Sequence, residues 1–183
     1  IRLTPGAEAS AAVAKIATYD WAVVTSPSAV HFFMDLVRGS GTDLRRLPKI
    51  MACGPGSAAA FASHGIAPEL TPPMDYSAEG LAALLREMDF SGERVLRLRS
   101  EKAGSLLADV LREKGADVDD VRLYTNDPVA YEKLPEFDAV FFDSASAVEA
   151  LAAPFGTAGP LGMSVVVIGK PTWTALRAAG REA

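Results

Sequence analysis

An internal repeat restricts the fold of this 183-residue chain more than any other feature of the sequence. Residues 19–30, YDWAVVTSPSAV, reappear 118 positions later as residues 137–148, FDAVFFDSASAV. A second pair, residues 50–57 and 165–172, lies 115 positions apart at its glycines, Gly54 and Gly169. Two ordered matches at nearly the same offset predict two domains of the same fold.

Short apolar runs alternate with amphipathic stretches along the chain, a pattern typical of βα units around a parallel sheet. We expect a doubly wound α/β architecture, with glycines Gly65, Gly115 and Gly180 ending three of the helices in the left-handed conformation. The predicted strands are residues 22–25, 50–53, 95–98, 121–124, 139–142 and 165–168. The predicted helices are residues 29–37, 57–64, 78–88, 104–114, 147–152 and 172–179.

The repeat also predicts the domain boundaries. Residues 1–125 form a complete α/β domain on this interpretation, and residues 126–183 form part of a second one. Residues 94–124 contribute a strand, a helix and a strand before the second copy, whereas only residues 1–4 precede the corresponding position of the first. We therefore expect the chain to be truncated at its N-terminus, with the missing strand and helix belonging to the second domain.

Composition argues against several functional classes. A formal net charge of −5 disfavours non-specific nucleic-acid binding, which requires a broad basic surface. The sequence contains no run of 18 or more apolar residues, so it does not predict a membrane span. The one cysteine, Cys53, and two histidines predict neither a disulfide framework nor a zinc site, and they fit the reducing cytoplasm.

The segment Gly54-x-Gly56-x-x-Ala59 resembles a dinucleotide-binding fingerprint. Its third glycine is replaced by alanine, and Asp75 only loosely meets the acidic residue expected about 20 positions further on. The pattern is better interpreted as a tight turn between a strand and a helix.

Hydroxyl side chains follow four of the predicted strands, at the end where open α/β sheets bind ligands. Ser26 and Ser144, each taken alone, are best explained as helix caps. Taken together, the four hydroxyls offer hydrogen-bond donors beside helix N-termini, which suit the carboxylates of an anionic ligand. These residues are Ser26, Ser57, Ser144 and Thr172.

Two further side chains are candidates for the same site. Arg99 stands at the carboxyl end of its strand, where it could meet an acidic ligand or serve only as a surface charge; for Arg97 the structural interpretation is favoured. Tyr124 ends the strand that leads out of the first domain, so it is either a residue at the core edge or a hydroxyl directed at ligand.

These motifs, taken in order, resemble the uroporphyrinogen-III synthase family. The resemblance rests on residues 25–30, 54–57, 76–81, 95–99, 121–124, 143–148 and 168–172. It implies two similar doubly wound parallel-sheet domains, joined by a two-stranded connection, with the active site in the cleft between them. It also implies a lyase that cyclises hydroxymethylbilane with inversion of ring D and loss of water.

The resemblance assigns roles to individual residues. Tyr124 matches the tyrosine proposed to assist departure of the substrate hydroxyl, and the four hydroxyl residues match positions that bind the substrate's acetate and propionate groups. The resemblance implies a cytoplasmic monomer that acts without a metal or organic cofactor. Asp143 departs from the usual threonine, and we expect its carboxylate either to face the anionic ligand or to cap the following helix.

Three other functions remain as alternatives at this point. A synthase-like domain without catalytic activity could serve as a ligand-binding or regulatory module. A two-lobed binding protein of the periplasmic type would share the architecture. A nucleotide-dependent oxidoreductase would rest on the glycine pattern alone.

Overall fold

The computed structural model describes residues 2–127, 129, 133, 136–155 and 164–180. Contacts between residues divide the chain into two compact units. The larger unit is Leu3–Asn126, and the smaller unit is Ile1–Arg2 together with Asp127–Ala183. Part of the expected second domain, including residues 156–163, lies outside the described residues.

The larger unit is built on a five-stranded sheet in the order β1-β5-β4-β2-β3. Strands β3, β2, β4 and β5 pair in parallel, as predicted from the alternation of strands and helices. The strands are β1 (Arg2–Pro5), β2 (Trp21–Val24), β3 (Lys49–Met51), β4 (Arg94–Ser100) and β5 (Asp117–Asp127). The helices are α1 (Ala7–Ala14), α2 (Pro27–Ser40), α3 (Pro55–Ala62), α4 (Ala78–Arg86) and α5 (Leu106–Glu113), with 3-10 turns at Ile16–Thr18 and Leu44–Arg46.

Helices cover both faces of this sheet because alternate strand residues point to opposite sides. Ala22 and Leu96 face a core formed with α1, α2 and α3, in which Phe33 and Phe61 are fully buried. Val23 faces a second core formed with α4 and α5. The predicted doubly wound arrangement is therefore present in the larger unit.

Several helix ends follow directly from the sequence. Ser26 caps α2 by accepting a hydrogen bond from the Ala29 N–H at 3.2 Å, and Pro27 occupies the first helical position, where a missing N–H costs nothing. The predicted left-handed glycines are confirmed, with φ of 76° at Gly65 and 91° at both Gly115 and Gly180.

In the smaller unit, β6 (Ala139–Phe142) and β7 (Ser164–Val167) form a parallel pair, and α6 (Ala145–Phe155) and α7 (Gly169–Ala178) follow them. Phe142, Val148 and Leu176 form its core on the face covered by the helices. The opposite face presents Phe141 and Val166, which pair across the two strands and are 61% and 56% exposed.

The main difference from the sequence-based expectation is α1, which was not predicted. Its residues AEASAAVA are mostly small, so they lack the contrast between large apolar and polar side chains that marks an amphipathic helix. Strand β5 is also longer than predicted, because its first half carries the aspartates Asp117, Asp119 and Asp120, a residue type depleted in strands. Among the described residues, no helix has the length and apolar character needed to cross a membrane.

Candidate functional site

Four of the predicted site residues lie along one edge of the five-stranded sheet. Because β2, β3, β4 and β5 are parallel, their carboxyl ends meet at the same edge. Adjacent strands lie about 4.8 Å apart, so this edge extends roughly 15 Å from β5 to β3. We call it the C-terminal edge; it carries, in the order of the strands, Tyr124, Arg99, Ser26 and Ser57.

Ser26 and Ser57 have different roles in the structure. Ser26 is a helix cap, as the simpler interpretation predicted. Ser57 does not cap a helix, since α3 begins after Gly54 and the buried Ser57 hydroxyl donates a 3.0 Å hydrogen bond to the Thr25 carbonyl. This bond joins the turn after β3 to the turn after β2 and fixes two neighbouring parts of the C-terminal edge.

The turn after β3 depends on glycine for close packing. A Cβ atom at Gly54 would lie 2.7 Å from the Tyr76 Cβ atom, closer than two such atoms can approach, whereas one at Gly56 would lie 3.4 Å from the Pro27 Cγ atom, which is nearly an ordinary contact. Gly54 is therefore explained by the close approach of the segment that carries Tyr76. This supports the tight-turn interpretation of the motif.

Arg99 is held by an aspartate from the next strand. Its Nε–H group donates to both carboxylate oxygens of Asp120, at 3.2 and 3.1 Å, and its Nη1 group donates to the Ser100 carbonyl at 3.2 Å. The Arg99 side chain is 26% exposed, so part of the guanidinium is open to solvent. This arrangement can bind an anion while remaining fixed in direction.

Arg97 contacts the same carboxylate, that of Asp120, and its side chain is almost fully enclosed. Its Nη1 group donates to Asp120 Oδ1 at 3.1 Å, and its Nη2 group donates to the Gly104 carbonyl at 2.6 Å. Burial lowers the pKa of the Arg97 guanidinium, against the opposing effect of the Asp120 carboxylate. The enclosure agrees with the structural interpretation of Arg97.

Tyr124 is buried in the first core, with 5% of its surface exposed. Its ring packs against Phe32 of α2 at a centroid separation of 5.5 Å. Among the described residues, none forms a hydrogen bond with the Tyr124 hydroxyl. The ring is thus fixed by packing, and its hydroxyl is available to another hydrogen-bond partner.

Ser144 and Thr172 occupy the smaller unit. The Ser144 hydroxyl accepts a 3.3 Å hydrogen bond from the Ala147 N–H and so caps α6. Asp143 is exposed beside it, and the expectation that the Asp143 carboxylate caps α6 is wrong because Ser144 has that role. Thr172 is buried within the first turns of α7, which begins at Gly169.

Cys53 has no reactive character. It is buried just after β3, and burial raises the pKa of its thiol to about 11. A thiol with that pKa is protonated at neutral pH and is a poor nucleophile. The C-terminal edge therefore offers hydroxyl and guanidinium groups, without a thiolate.

Two features of the larger unit escaped the sequence interpretation. Asp120 was missed as the partner of Arg97 and Arg99, although their register across β4 and β5 becomes visible once the strands are aligned. His31 of α2 lies against His64, with 3.2 Å between Nδ1 and Nε2. In the part of the chain that the structure describes, no three His, Cys, Asp or Glu side chains are grouped to hold a metal ion.

Two cavities are lined by other parts of the chain. One, of about 400 Å³, is lined by residues of α1 and α2, including Ser10 and Asp35. Another, of about 280 Å³, is lined in the smaller unit by residues that include Val140 and Leu151. Neither of these two cavities contains a predicted site residue.

Comparison with known proteins gave consistent matches. The family model described as Uroporphyrinogen-III synthase HemD matches residues 1–183. A protein of Methanothermobacter thermautotrophicus named "Putative uroporphyrinogen-III synthase" is 30% identical over 100 residues, which are 55% of this chain and 39% of that protein. The chain thus matches about two fifths of the length of this curated relative.

Solved structures share the fold. Uroporphyrinogen III synthase from the extremely thermophilic bacterium Thermus thermophilus superposes with a TM-score of 0.61 at 21% identity, covering 100% of this chain and 77% of that one. Uroporphyrinogen-III synthetase from Helicobacter pylori 26695 gives a TM-score of 0.52 at 17% identity, covering 88% of this chain and 82% of that one.

Proposed function

Because this chain belongs to the uroporphyrinogen-III synthase family, we propose that it converts hydroxymethylbilane into uroporphyrinogen III. The reaction inverts ring D, closes the macrocycle and releases one molecule of water. We propose further that the enzyme acts as a cytoplasmic monomer without metal or organic cofactor.

The observation that carries this proposal is the arrangement of the C-terminal edge. Residues separated by up to 98 positions in sequence, from Ser26 to Tyr124, are brought to the carboxyl ends of adjacent parallel strands. The groups they present are hydroxyls and a cation, which suit the recognition of carboxylates. The substrate is a polycarboxylate, so the edge matches its chemistry.

Binding of an anion to an acidic protein requires a local excess of positive potential. We propose that Arg99 supplies it in the larger unit, together with the N-terminal N–H groups of α2 and α3. Ser26 and Ser57 act by keeping these turns in place as well as by hydrogen bonding. Ser144 and Thr172 are proposed to serve the same substrate from the turns of the smaller unit.

Tyr124 is proposed as the general acid that assists departure of the substrate hydroxyl. A phenol ordinarily keeps its proton at neutral pH and can donate it to a leaving oxygen. The packing of the ring against Phe32 fixes where the hydroxyl can act. The proton leaves with the hydroxyl as water, while a pyrrole nitrogen of the substrate supplies the electron pair that expels it. The N–H proton of that pyrrole then returns to the phenolate, which leaves a neutral azafulvene and restores the phenol.

Besides acid catalysis, the enzyme must control the conformation of the substrate. The azafulvene formed by loss of water is itself reactive, so the enzyme must select the folded conformer in which ring D closes after inversion. Holding reacting groups in one productive geometry contributes about 7–11 kcal/mol in favourable cases. Fixed hydrogen-bonding turns, such as those joined by Ser57 and Thr25, provide this kind of restraint.

The proposal is tested by supplying fresh hydroxymethylbilane to the protein, oxidising the products and separating uroporphyrin isomers I and III by chromatography. Isomer III in clear excess supports the synthase. Isomer I alone, the spontaneous product, obtained with folded protein would show that the chain does not catalyse this reaction.

A further inference from the structure

Asp120 connects two arginines of the neighbouring strand. Its carboxylate receives Nη1 of Arg97 on Oδ1 and the Nε–H of Arg99 on both oxygens. Asp120 is 16% exposed, compared with 5% for the Arg97 side chain. One carboxylate between two guanidiniums leaves the cluster with a net positive charge.

The two arginines are anchored differently. Arg97 is bonded on one side to Asp120 and on the other to the Gly104 carbonyl, and its buried Nε atom has no hydrogen-bond partner among the described residues. Arg99 uses Nε and Nη1 for contacts with the protein. Its Nη2 group donates to no residue in the described part of the chain, so two N–H groups remain for a ligand.

The contact through Nε determines the direction of the Arg99 fork. A guanidinium is planar, so bonds to Nε and Nη1 fix its plane and orient the remaining Nη2 group. Without Asp120, the long arginine side chain would sample several rotamers, and part of the binding free energy would be spent on ordering it. A fixed guanidinium loses less freedom when it binds a carboxylate.

We propose that Asp120 is a positioning residue, which holds Arg99 so that its Nη2 group meets one carboxylate of the substrate. This inference rests on the proposed function and adds a residue that the sequence did not indicate. Arg97 contacts Asp120 and the Gly104 carbonyl and has no part in substrate binding. The Asp120–Arg99 pair contributes to substrate binding, and the bond-breaking step does not depend on it.

Steady-state kinetics with hydroxymethylbilane, followed by formation of isomer III, distinguish positioning from a general structural effect. We expect Asp120→Asn to raise KM about tenfold, as befits the loss of one charge-assisted contact, while kcat changes less than about threefold. Arg97→Met keeps the Asp120–Arg99 pair and should leave KM within about twofold of the wild-type value. The proposal is overturned if KM rises equally in Asp120→Asn and Arg97→Met, or if it rises in neither variant.

A double variant guards against misfolding. Asp120→Asn leaves the Arg97 guanidinium buried without its partner, which is strongly destabilising. Arg97→Met with Asp120→Asn removes that charge while still depriving Arg99 of its carboxylate. We expect the double variant to show the same increase in KM as Asp120→Asn, and a wild-type KM in a folded double variant contradicts the positioning role.

A spectroscopic readout separates this inference from the proposed function. The Nε–Hε resonance of Arg99 in the substrate-free protein should be protected from exchange in the wild type and in Arg97→Met, and should lose protection in both variants that carry Asp120→Asn. An unchanged resonance overturns the positioning role even in an active enzyme. Formation of isomer I alone by the wild type refutes the proposed function, whatever the resonance shows.

Discussion

At the scale of single residues, the Ser57 hydroxyl stabilises the C-terminal edge by joining two turns. Ser57→Ala removes the hydrogen bond to the Thr25 carbonyl, and we expect the free energy of unfolding to fall by about 0.5–1.5 kcal/mol. Denaturant titration measures this change. Ser63→Ala is the matched control, because the exposed Ser63 hydroxyl bonds only within its own helix and its loss should cost less than about 0.5 kcal/mol.

Tyr124→Phe tests the proposed general acid. The ring remains in the core against Phe32, so stability should be nearly unchanged, whereas kcat should fall by about 10²–10⁴-fold. Single-turnover rates of isomer III formation measure the loss. Some activity should survive, because the substrate drives its own loss of hydroxide. A folded, substrate-binding variant with no activity at all would contradict these roles of Tyr124 and the substrate.

The His31–His64 pair predicts a pH dependence of stability. Burial, with Arg38 and His31 nearby, lowers the pKa of His64 below its ordinary value of about 6.5, despite the opposing charge of Asp35. The unfolded state therefore binds the proton first, and stability is lost as the pH falls from about 6.5 through the lower pKa of the folded state.

Unfolding midpoints of the wild type and His64→Gln, compared at about pH 8 and about pH 5.5, measure this effect. The wild type should lose more stability on acidification than the variant does. An equal loss in the two proteins would show that the histidine pair has no part in the response.

The limits of sequence interpretation at this scale have identifiable physical causes. The positions of Ser26 and Arg99 at strand ends could be predicted, because strand ends are local features. The partner of Ser57 could not, because the Thr25 carbonyl is 32 residues away and the contact depends on how two turns pack. Asp120 was missed because the predicted strand began at Val121, whereas β5 begins at Asp117 and so includes Asp120.

At the scale of elements, the repeat allows equivalent positions in the two units to be compared. Met51 of β3 and Val166 of β7 are equivalent at the offset of 115 residues. Met51 is fully buried in the core under α4 and α5, whereas Val166 is 56% exposed. The same position in the repeat thus has different surroundings in the two units.

This difference gives a prediction for paired alanine substitutions. Met51→Ala should destabilise the larger unit by about 2–5 kcal/mol, because it leaves a cavity in a packed core. Val166→Ala should change stability by about 0.5 kcal/mol or less. Amide hydrogen exchange in β3 and β7 reports the opening of each unit separately, and losses of equal size would contradict the burial described here.

The elements themselves were predicted unevenly. The apolar run Ala139–Phe142 was predicted at its observed bounds, whereas β2 and β7 each begin and end one residue earlier than predicted. Helix α1 was missed because its small residues give little periodic contrast in hydrophobicity. Its Ala9, Ala12 and Val13 pack in the first core, and this tertiary packing stabilises the helix. Packing of this kind depends on the other elements and has no local signal.

At the scale of the whole molecule, the internal repeat is the feature that could best be predicted from the sequence alone, because both copies have the same local βα pattern. The offset between the two Ser-containing turns predicted that Ser26 and Ser144 would be equivalent, and both cap the helix after their strand. The net charge of −5 gives no indication of where the positive groups lie. The placement of Arg99 beside Asp120 became known only from the register of β4 and β5.

We propose that the C-terminal edge carries uroporphyrinogen-III synthase activity. The most direct test is the fraction of isomer III formed from fresh hydroxymethylbilane by the wild type and by a folded Arg99→Met, Tyr124→Phe double variant. We predict mainly isomer III from the wild type and mainly the spontaneous isomer I from the double variant. Isomer III at the wild-type rate from the double variant would contradict the assigned site, and isomer I from both proteins would contradict the function.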